Sequence, residues 1–257
     1  MRIKERDEWK AAFTIPEGLF EPTVMFFSLM NSPATFQTMM NEILQDLINT
    51  GKVASFIDNV IIGMEEEEEH DELVEEVVRR LAENNLYVKP KKCKWKVKEV
   101  GFLGVVIEPE GIKMKEEKVK GVLDWLIPKC VKDVQKFLGL ANYYCQFIQD
   151  FVSIARPLYN MVKKDQKWEW TKRPERVFKE LKEKFTRKPV LAAPDLDRKM
   201  RIEVDTLDYA TGEILSMECK DGRWRPVAYL SKSLNEMERN YEIHDKEMLA
   251  VIRGLEN

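Results

Sequence analysis

The sequence lacks the features that would place it in a membrane or outside the cell. No apolar run among its 257 residues approaches the length of a bilayer span, and the N-terminal segment MRIKERDEWK is too polar for a secretory signal peptide. Its four cysteines lie far apart and show none of the spacings of a zinc site. We therefore expect an intracellular protein with reduced thiols and no cysteine-bound metal. The cysteines are Cys93, Cys130, Cys145 and Cys219.

Histidines are few, and internal repeats and low-complexity tracts are absent. The two histidines, His70 and His244, look like surface or helix-start residues and suggest no catalytic role. Charge, in contrast, is plentiful: 34% of the residues are charged and 44% are apolar, which is typical of a folded globular protein and argues against global disorder. A chain of this length can hold two domains as readily as one.

The net charge of −3 hides an asymmetry along the chain. Residues 65–76 are acidic, whereas residues 89–136 are rich in lysine. In the lysine-rich part, basic and apolar residues alternate over residues 92–98, which predicts a strand with one basic and one apolar face. Such a face is either simply solvated or a surface that follows nucleic-acid phosphates, and composition does not decide between them. The alternating lysines are Lys92, Lys94, Lys96 and Lys98.

The first part of the chain predicts a helix and a hairpin. The Asn-Ser-Pro sequence at residues 31–33 is typical of a helix start, and apolar residues then recur at helical spacing until Gly51. Residues 53–62 contain two apolar runs around Asp58 and Asn59. This pattern predicts a tight hairpin, because both central residues tolerate left-handed backbone geometry.

The rest of the chain predicts more helices and then a group of strands. A second amphipathic helix follows the hairpin, a strand is expected at residues 100–107, and helical periodicity begins near residue 115. A polar linker at residues 163–170 precedes a short helix. Three strands and a closing helix come last. The strands are residues 200–206, 212–219 and 223–230, and the apolar residues of the helix are Met248, Val251, Ile252 and Leu255.

Several segments resemble blocks of retroelement polymerases, in the right order and over nearly the whole chain. They are MFFSLMNSPATFQ at 25–37, FIDN at 56–59, FLG at 102–104 with EGI at 110–112, VQKFLGLANYY at 134–144, and residues 189–212. Together they make the chain similar to the polymerase polyprotein of gypsy-type (Metaviridae-like) LTR retrotransposons. The similar part is the reverse transcriptase/RNase H region, in a truncated and mutated form.

The resemblance implies an α+β fold. We expect a reverse transcriptase palm with most of the fingers missing at residues 1–114, a helical thumb or connection at 115–165, and a partial RNase H-like α/β domain at 166–257. The partners it implies are an RNA or DNA template–primer duplex and no membrane. It leaves the oligomeric state open.

For DNA synthesis the resemblance implies two Mg²⁺ ions held by carboxylates. Asp58 matches the first residue of the family's Asp-Asp pair, as a catalytic residue and metal ligand. Asn59 occupies the second, degenerate position and supplies a neutral amide, which Mg²⁺ favours less than a carboxylate. The family's early palm aspartate would lie upstream of Met1.

The resemblance also assigns other site residues. Phe27 and Gln37 match positions at the nucleotide pocket, and Gly104 lies in the primer-grip region, a nucleic-acid contact like Lys92, Lys94 and Lys96. In the RNase H-like part, Asp205 and Glu247 match the first two catalytic metal ligands. A strand-end polar residue and a glutamate that complements the helix dipole are the plain alternatives for these two.

Three functions follow as hypotheses. The first is a catalytically defective relic of an RNA-directed DNA polymerase with ribonuclease H, because essential carboxylates are missing or replaced. The second is a non-catalytic module that still binds a template–primer duplex, and the third is an enzyme that receives its missing carboxylates from a second chain. The third requires ligands placed in trans with ångström tolerance and is the least favoured.

Overall fold

The structure is a computed structural model of the chain that describes residues 1–26, 28–64, 66–164, 166–187 and 190–256. The chain forms two compact units, Met1–Trp95 and Lys96–Asn257. The domain limits inferred from resemblance, after residues 114 and 165, stay a prediction. No helix in the described ranges is both long enough and apolar enough to cross a membrane.

The described part of the first unit contains two α-helices and two small hairpins. The hairpins are antiparallel two-stranded sheets, β1 with β2 and β3 with β4. The elements are β1 Phe13–Ile15, β2 Gly18–Phe20, α1 Ser32–Asn49, β3 Val53–Phe56, β4 Asn59–Ile62 and α2 Glu67–Glu83.

The core of this unit lies between the two helices and the second hairpin. Met40 and Leu44 are one helical turn apart on α1 and are buried, as are Val77 and Leu81 on α2 and Val53 on β3. Residues four apart share one face of a helix, so each helix contributes a single apolar stripe. This core supports the β3–β4 hairpin.

Helix α1 begins where the sequence predicts, but its first turn is satisfied differently. Asn31 has helical backbone angles, φ −92° and ψ −3°, and makes no capping bond with its side chain. Its carbonyl accepts hydrogen bonds from the backbone N–H (3.0 Å) and the hydroxyl (2.9 Å) of Thr35, while the Ser32 hydroxyl donates to the Phe26 carbonyl at 2.7 Å. Asn31, although typical of a helix start, therefore does not cap the helix with its side chain, whereas proline does occupy the first turn.

In its described residues, the second unit contains five α-helices and two three-stranded antiparallel sheets, ordered β5-β6-β7 and β10-β9-β8. The strands of the first sheet are β5 Val100–Phe102, β6 Val105–Glu108 and β7 Gly111–Met114. Those of the second are β8 Met200–Leu207, β9 Ala210–Glu218 and β10 Trp224–Ser233. The helices are α3 Glu116–Leu123, α4 Val131–Tyr143, α5 Phe151–Met161, α6 Lys172–Thr186 and α7 Ile243–Glu256.

Helices α3 to α6 enclose the main core. Phe137 of α4 packs against Phe178 of α6 with ring centroids 4.6 Å apart, and Tyr144 and Phe151 are almost fully buried beside them. The β5–β7 sheet adds Met114 and Val105 to the same core. The apolar spacing at residues 137–144 thus marks the inward face of α4, as the sequence predicts.

Gly111 lets an extra segment pair with β7. Leu191 exchanges two backbone hydrogen bonds with Ile112, of 2.7 and 2.9 Å. A Cβ atom on Gly111 would lie 2.1 Å from the Leu191 carbonyl oxygen, and the φ of Gly111 is +140°. Only glycine fits this close approach of two backbones.

The buried face of helix α7 is not the apolar one. Its buried residues are Lys246, Ala250 and Arg253. The guanidinium of Arg253 donates to the Glu238 carboxylate at 2.8 Å, and this ion pair is largely buried. The apolar residues that the sequence suggested for packing are exposed instead: Met248, Val251, Ile252 and Leu255.

Candidate active site

The β3–β4 hairpin places Asp58 at its tip. Phe56 pairs with Asn59, so Ile57 and Asp58 form the two-residue turn and Asn59 begins β4. The left-handed residue is Ile57, with φ +53°, whereas the sequence suggested Asp58 and Asn59 for that geometry. A β-branched residue at positive φ is an outlier that costs about 1–3 kcal/mol, and such strain is concentrated at functional sites.

Gln37 of α1 braces this turn. Its carbonyl oxygen accepts a hydrogen bond of 2.5 Å from the backbone N–H of Ile57, and its amide nitrogen lies 3.2 Å from the Ser55 carbonyl oxygen. The same nitrogen donates to Asn41 Oδ1 at 2.7 Å. The side chain of Gln37 is thus committed to the hairpin backbone, and its predicted contact with a nucleotide stays a prediction. Phe27, the other predicted nucleotide contact, lies outside the described residues.

Asp58 has an amide rather than a second carboxylate beside it. Both Asp58 and Asn59 are exposed, and the Asn59 side-chain nitrogen donates to Asp58 Oδ1 at 3.1 Å. Across the described ranges of the chain, no three His, Cys, Asp or Glu side chains come close enough together to hold a metal ion. The tip of the hairpin therefore presents one negative charge, partly engaged by its neighbour.

The lysine-rich segment is not a strand. Pro90–Lys92 is a short 3₁₀ helix, and residues 93–99 are irregular. The alternating pattern fails because Lys96 adopts a left-handed conformation, with φ +50°, which interrupts an extended chain. Lys92 and Lys94 remain exposed, but Trp95 is 51% exposed and forms no buried face. The lysines are accessible to a phosphate backbone, while the predicted two-faced strand is wrong.

Gly104 lies in a sharp turn between β5 and β6, where the sequence predicted one continuous strand. Phe102 pairs with Val105, and the two turn residues, Leu103 and Gly104, have φ values of +43° and +81°. Positive φ at both central residues is the signature of a type I′ hairpin turn, which favours glycine at the second position. Helix α4 contacts this turn through Tyr143, whose hydroxyl donates to the Leu103 carbonyl at 2.6 Å.

Asp205 and Glu247 lie on different elements of the second unit. Asp205 is exposed on β8 opposite Gly212, and Glu247 is exposed on α7. Side chains alternate along a strand, so Asp205 and Ile202 lie on opposite faces of the sheet. Ile202 lies beside Gly254 of α7, so the Asp205 side chain is on the face away from this helix. The roles of Asp205 and Glu247 as a catalytic pair stay a prediction.

Asp150 is a carboxylate that the sequence did not single out. It precedes α5 in a left-handed conformation, φ +57°, and its Oδ1 atom lies 2.7 Å from where a Cβ on Gly212 would be. Burial raises the pKa of Asp150, and the nearby charge of Asp205 raises it further. Two carboxylates therefore meet on this face of the sheet. Only the folded chain reveals the proximity, because the two residues are far apart in sequence.

Comparison with known proteins identifies the two parts. Residues 1–107 match the family described as reverse transcriptase (RNA-dependent DNA polymerase), and residues 170–257 match an RNase H-like domain found in reverse transcriptase. These two segments are similar to a reverse transcriptase domain and to an RNase H-like domain, respectively. It is 35% identical over all 257 residues to the Transposon Tf2-7 and Tf2-8 polyproteins of Schizosaccharomyces pombe, and it covers 19% of the length of each.

The fold is similar to that of solved structures of a foamy viral protease-reverse transcriptase. The chain superimposes on the complex with an RNA/DNA hybrid with a TM-score of 0.81, and on a dRH form in complex with double-stranded DNA with a TM-score of 0.80. Each match covers 99% of this chain, at 23% identity, and covers 34% and 44% of the respective viral chains. The predicted α+β fold, with its reverse transcriptase and RNase H-like domains, is thereby confirmed.

Proposed function

We propose that this chain is part of the RNA-directed DNA polymerase of a gypsy-type retrotransposon, and that its polymerase centre has too few carboxylates for normal catalysis. The observation that carries the proposal is the pair at the hairpin tip, where the Asn59 amide bonds to the Asp58 carboxylate. The match of residues 1–107 to reverse transcriptase and the likeness to Tf2 polyproteins support the polymerase ancestry. We further propose that the protein works inside the cell.

The residues present do not fit a complete Mg²⁺ centre. Magnesium ions in phosphoryl transfer need several anionic oxygen ligands a few ångströms apart. Asp58 offers one carboxylate, Asn59 contributes no charge, and the described residues contain no cluster of three ligand side chains. The resemblance implies two Mg²⁺ ions, but the hairpin tip supplies only one of the two adjacent carboxylates that the family has there.

The RNase H-like domain gives a parallel result. Asp205 and Glu247, the residues assigned to metal binding, are each exposed on a separate element, and the described residues contain no cluster of three metal-ligand side chains. The carboxylate that approaches Asp205 is Asp150, from the segment before α5. We therefore propose no ribonuclease step for the described residues.

Duplex binding is the second candidate function, and a specific observation favours it. The viral proteins that share this fold were solved in complex with double-stranded DNA and with an RNA/DNA hybrid. Exposed lysines at positions 92 and 94 can contact phosphates without any metal ion. A chain whose metal centre lacks carboxylates can thus still bind a template–primer duplex, as a non-catalytic binding module.

Primer extension on an RNA template, with Mg²⁺ or Mn²⁺, tests the polymerase proposal. We expect little or no incorporation by the parent chain, because only Asp58 offers a carboxylate at the hairpin tip. The Asn59→Asp variant restores a carboxylate beside Asp58 and shows whether that charge alone is enough for activity. Asn49→Asp is the matched control, since it adds the same charge at the exposed C-terminal end of α1. Robust extension by the parent chain would contradict the weakened centre.

Duplex binding is measured separately, by fluorescence anisotropy with a labelled template–primer at increasing salt. Binding through placed lysines weakens steadily as salt rises, because each phosphate contact releases counterions. Charge-removing substitutions at Lys92 and Lys94 should reduce the slope of log affinity against log salt by about one per contact. Failure of the parent chain to bind even at low salt would eliminate this function.

A further inference from the structure

The β5–β6 turn has a conformation that its own sequence does not favour. Two-residue turns with positive φ at both positions are typically formed by Asn-Gly or Asp-Gly, because these residues tolerate left-handed geometry. Here the first position is Leu103, whose side chain is 42% exposed and so gains little from burial. Something outside the turn must therefore stabilise it.

Two adjacent tyrosines at the end of α4 provide that stabilisation. The hydroxyl of Tyr143 donates to the Leu103 carbonyl at 2.6 Å, and the hydroxyl of Tyr144 donates to the Gly104 carbonyl at 3.0 Å. Both carbonyls of the turn thus accept a hydrogen bond from a side chain some forty positions away. The two rings meet edge to face, with centroids 4.8 Å apart, so each fixes the other.

The tyrosine pair is anchored in the core through Tyr144 and packs closely against the turn through Tyr143. Tyr144 is 1% exposed and belongs to the main core. Burial raises the pKa of the Tyr144 hydroxyl, so it remains a protonated donor near neutral pH. On the turn side, a Cβ on Gly104 would lie 2.9 Å from the Tyr143 hydroxyl oxygen. The Tyr143 ring therefore occupies the space that the glycine leaves open.

We propose that Tyr143 and Tyr144 are positioning residues, whose hydroxyls hold the Leu103–Gly104 turn in the backbone conformation that the chain uses against a nucleic-acid duplex. The inference rests on the proposed duplex binding. It adds a link between the helical segment and the exposed tip of the β5–β6 hairpin. A duplex-contacting turn that is ordered in advance loses less conformational freedom on binding.

The test uses the full chain, with two measurements on each variant. Hydrogen–deuterium exchange over residues 100–108 reports the order of the turn, and fluorescence anisotropy reports affinity for a labelled duplex. Tyr143→Phe and Tyr144→Phe each remove one donor and keep the ring. We expect faster exchange at the turn and duplex affinity weaker by about fivefold, the usual worth of one hydrogen bond. Tyr159→Phe is the matched control, because its hydroxyl bonds to Asn142 on α4 and not to the turn.

A second substitution separates positioning from general support of the fold. Leu103→Asn creates the Asn-Gly sequence that favours this turn by itself. Placed in the Tyr143→Phe chain, it should restore both slow exchange and duplex affinity, which it could not do if the tyrosine merely supported the helix. Failure of this rescue would overturn the proposal.

Other outcomes are equally decisive. Unchanged exchange in both tyrosine variants would show that the hydroxyls do not hold the turn. Faster exchange with unchanged affinity would show that the turn takes no part in duplex binding. A parent chain that binds no duplex would overturn the proposed function and this role together, and the exchange measurement would still show whether the tyrosines order the turn.

Discussion

Glu213 of β9 is buried at 3% exposure between the sheet and α7. Neither carboxylate oxygen has a hydrogen-bond partner of good geometry in the described part of the chain. Burial raises the pKa of Glu213, and the Thr211 hydroxyl and the charge of Arg253 oppose this only in part. A buried polar group without good partners costs free energy that an apolar side chain would not.

Replacing Glu213 with methionine should therefore stabilise the second unit. The substitution keeps an unbranched side chain of similar length and removes the uncompensated carboxylate, a gain of about 1–3 kcal/mol in the free energy of unfolding. For a domain of this size, that corresponds to a rise of about 2–10 °C in Tm. Arg253 keeps its 2.8 Å ion pair with Glu238, so the substitution leaves that guanidinium with a partner.

The pH dependence gives a second signature. The pKa of Glu213 in the folded state lies above its ordinary value of 4.5, so folding favours the protonated form. The contribution of this group to stability is fully present below the unfolded-state pKa and is lost as the pH rises through the folded-state pKa. The advantage of Glu213→Met over the parent chain should thus be small at pH values below the ordinary pKa of a glutamate and grow as the pH rises above it.

Thermal unfolding followed by circular dichroism at several pH values measures both effects. Glu203→Met on β8 is the control, since that glutamate is exposed and its substitution should change stability by no more than about 0.5 kcal/mol. A lower Tm for Glu213→Met than for the parent at pH about 7 would refute the reasoning. It would mean that the carboxylate is stabilised by Arg253 more than burial costs.

Two further predictions concern backbone geometry. Gly111→Ala should destabilise the chain by about 2–4 kcal/mol, because the added Cβ meets the Leu191 carbonyl oxygen at 2.1 Å. Urea unfolding measures this change. The control is Gly121→Ala on α3, which should not destabilise the chain because the added Cβ would lie in open space. Gln37→Ala should lower unfolding free energy by about 1–3 kcal/mol through the loss of its bonds to the β3–β4 turn. Ile57→Gly should recover part of that loss by relieving the positive φ, and no recovery would mean that the turn is unstrained.

Local sequence features predicted the elements whose formation depends on neighbours in the chain. The apolar spacing before Gly51 predicted α1, which the structure contains. The three strands after residue 199 also form, because alternation and turn residues act over a few positions. Their order, β10-β9-β8, is that of a simple antiparallel meander.

Features that depend on distant contacts were not predictable in this way. The alternation at residues 92–98 predicts a strand, but a strand also needs an edge to pair with and an unbroken extended backbone, which Lys96 interrupts. Asp150 comes close to Asp205 only through the packing of α5 against the sheet, so no local pattern reports it. Helix α7 buries Arg253 because the carboxylate that pairs with it, Glu238, lies outside the helix.

The β3–β4 hairpin shows that geometry and charge can be separated at this site. Gln37 holds Ile57 in a strained left-handed conformation through bonds to the backbone, and neither bond involves the side chain at position 59. The backbone that would present two carboxylates is therefore formed while one of them is an amide. Because the strain is supported independently of that residue, Asn59→Asp changes the charge at the tip without rebuilding the turn. Its effect on primer extension accordingly measures the missing charge, and a chain that stays inactive after this change must lack something other than the shape of the hairpin.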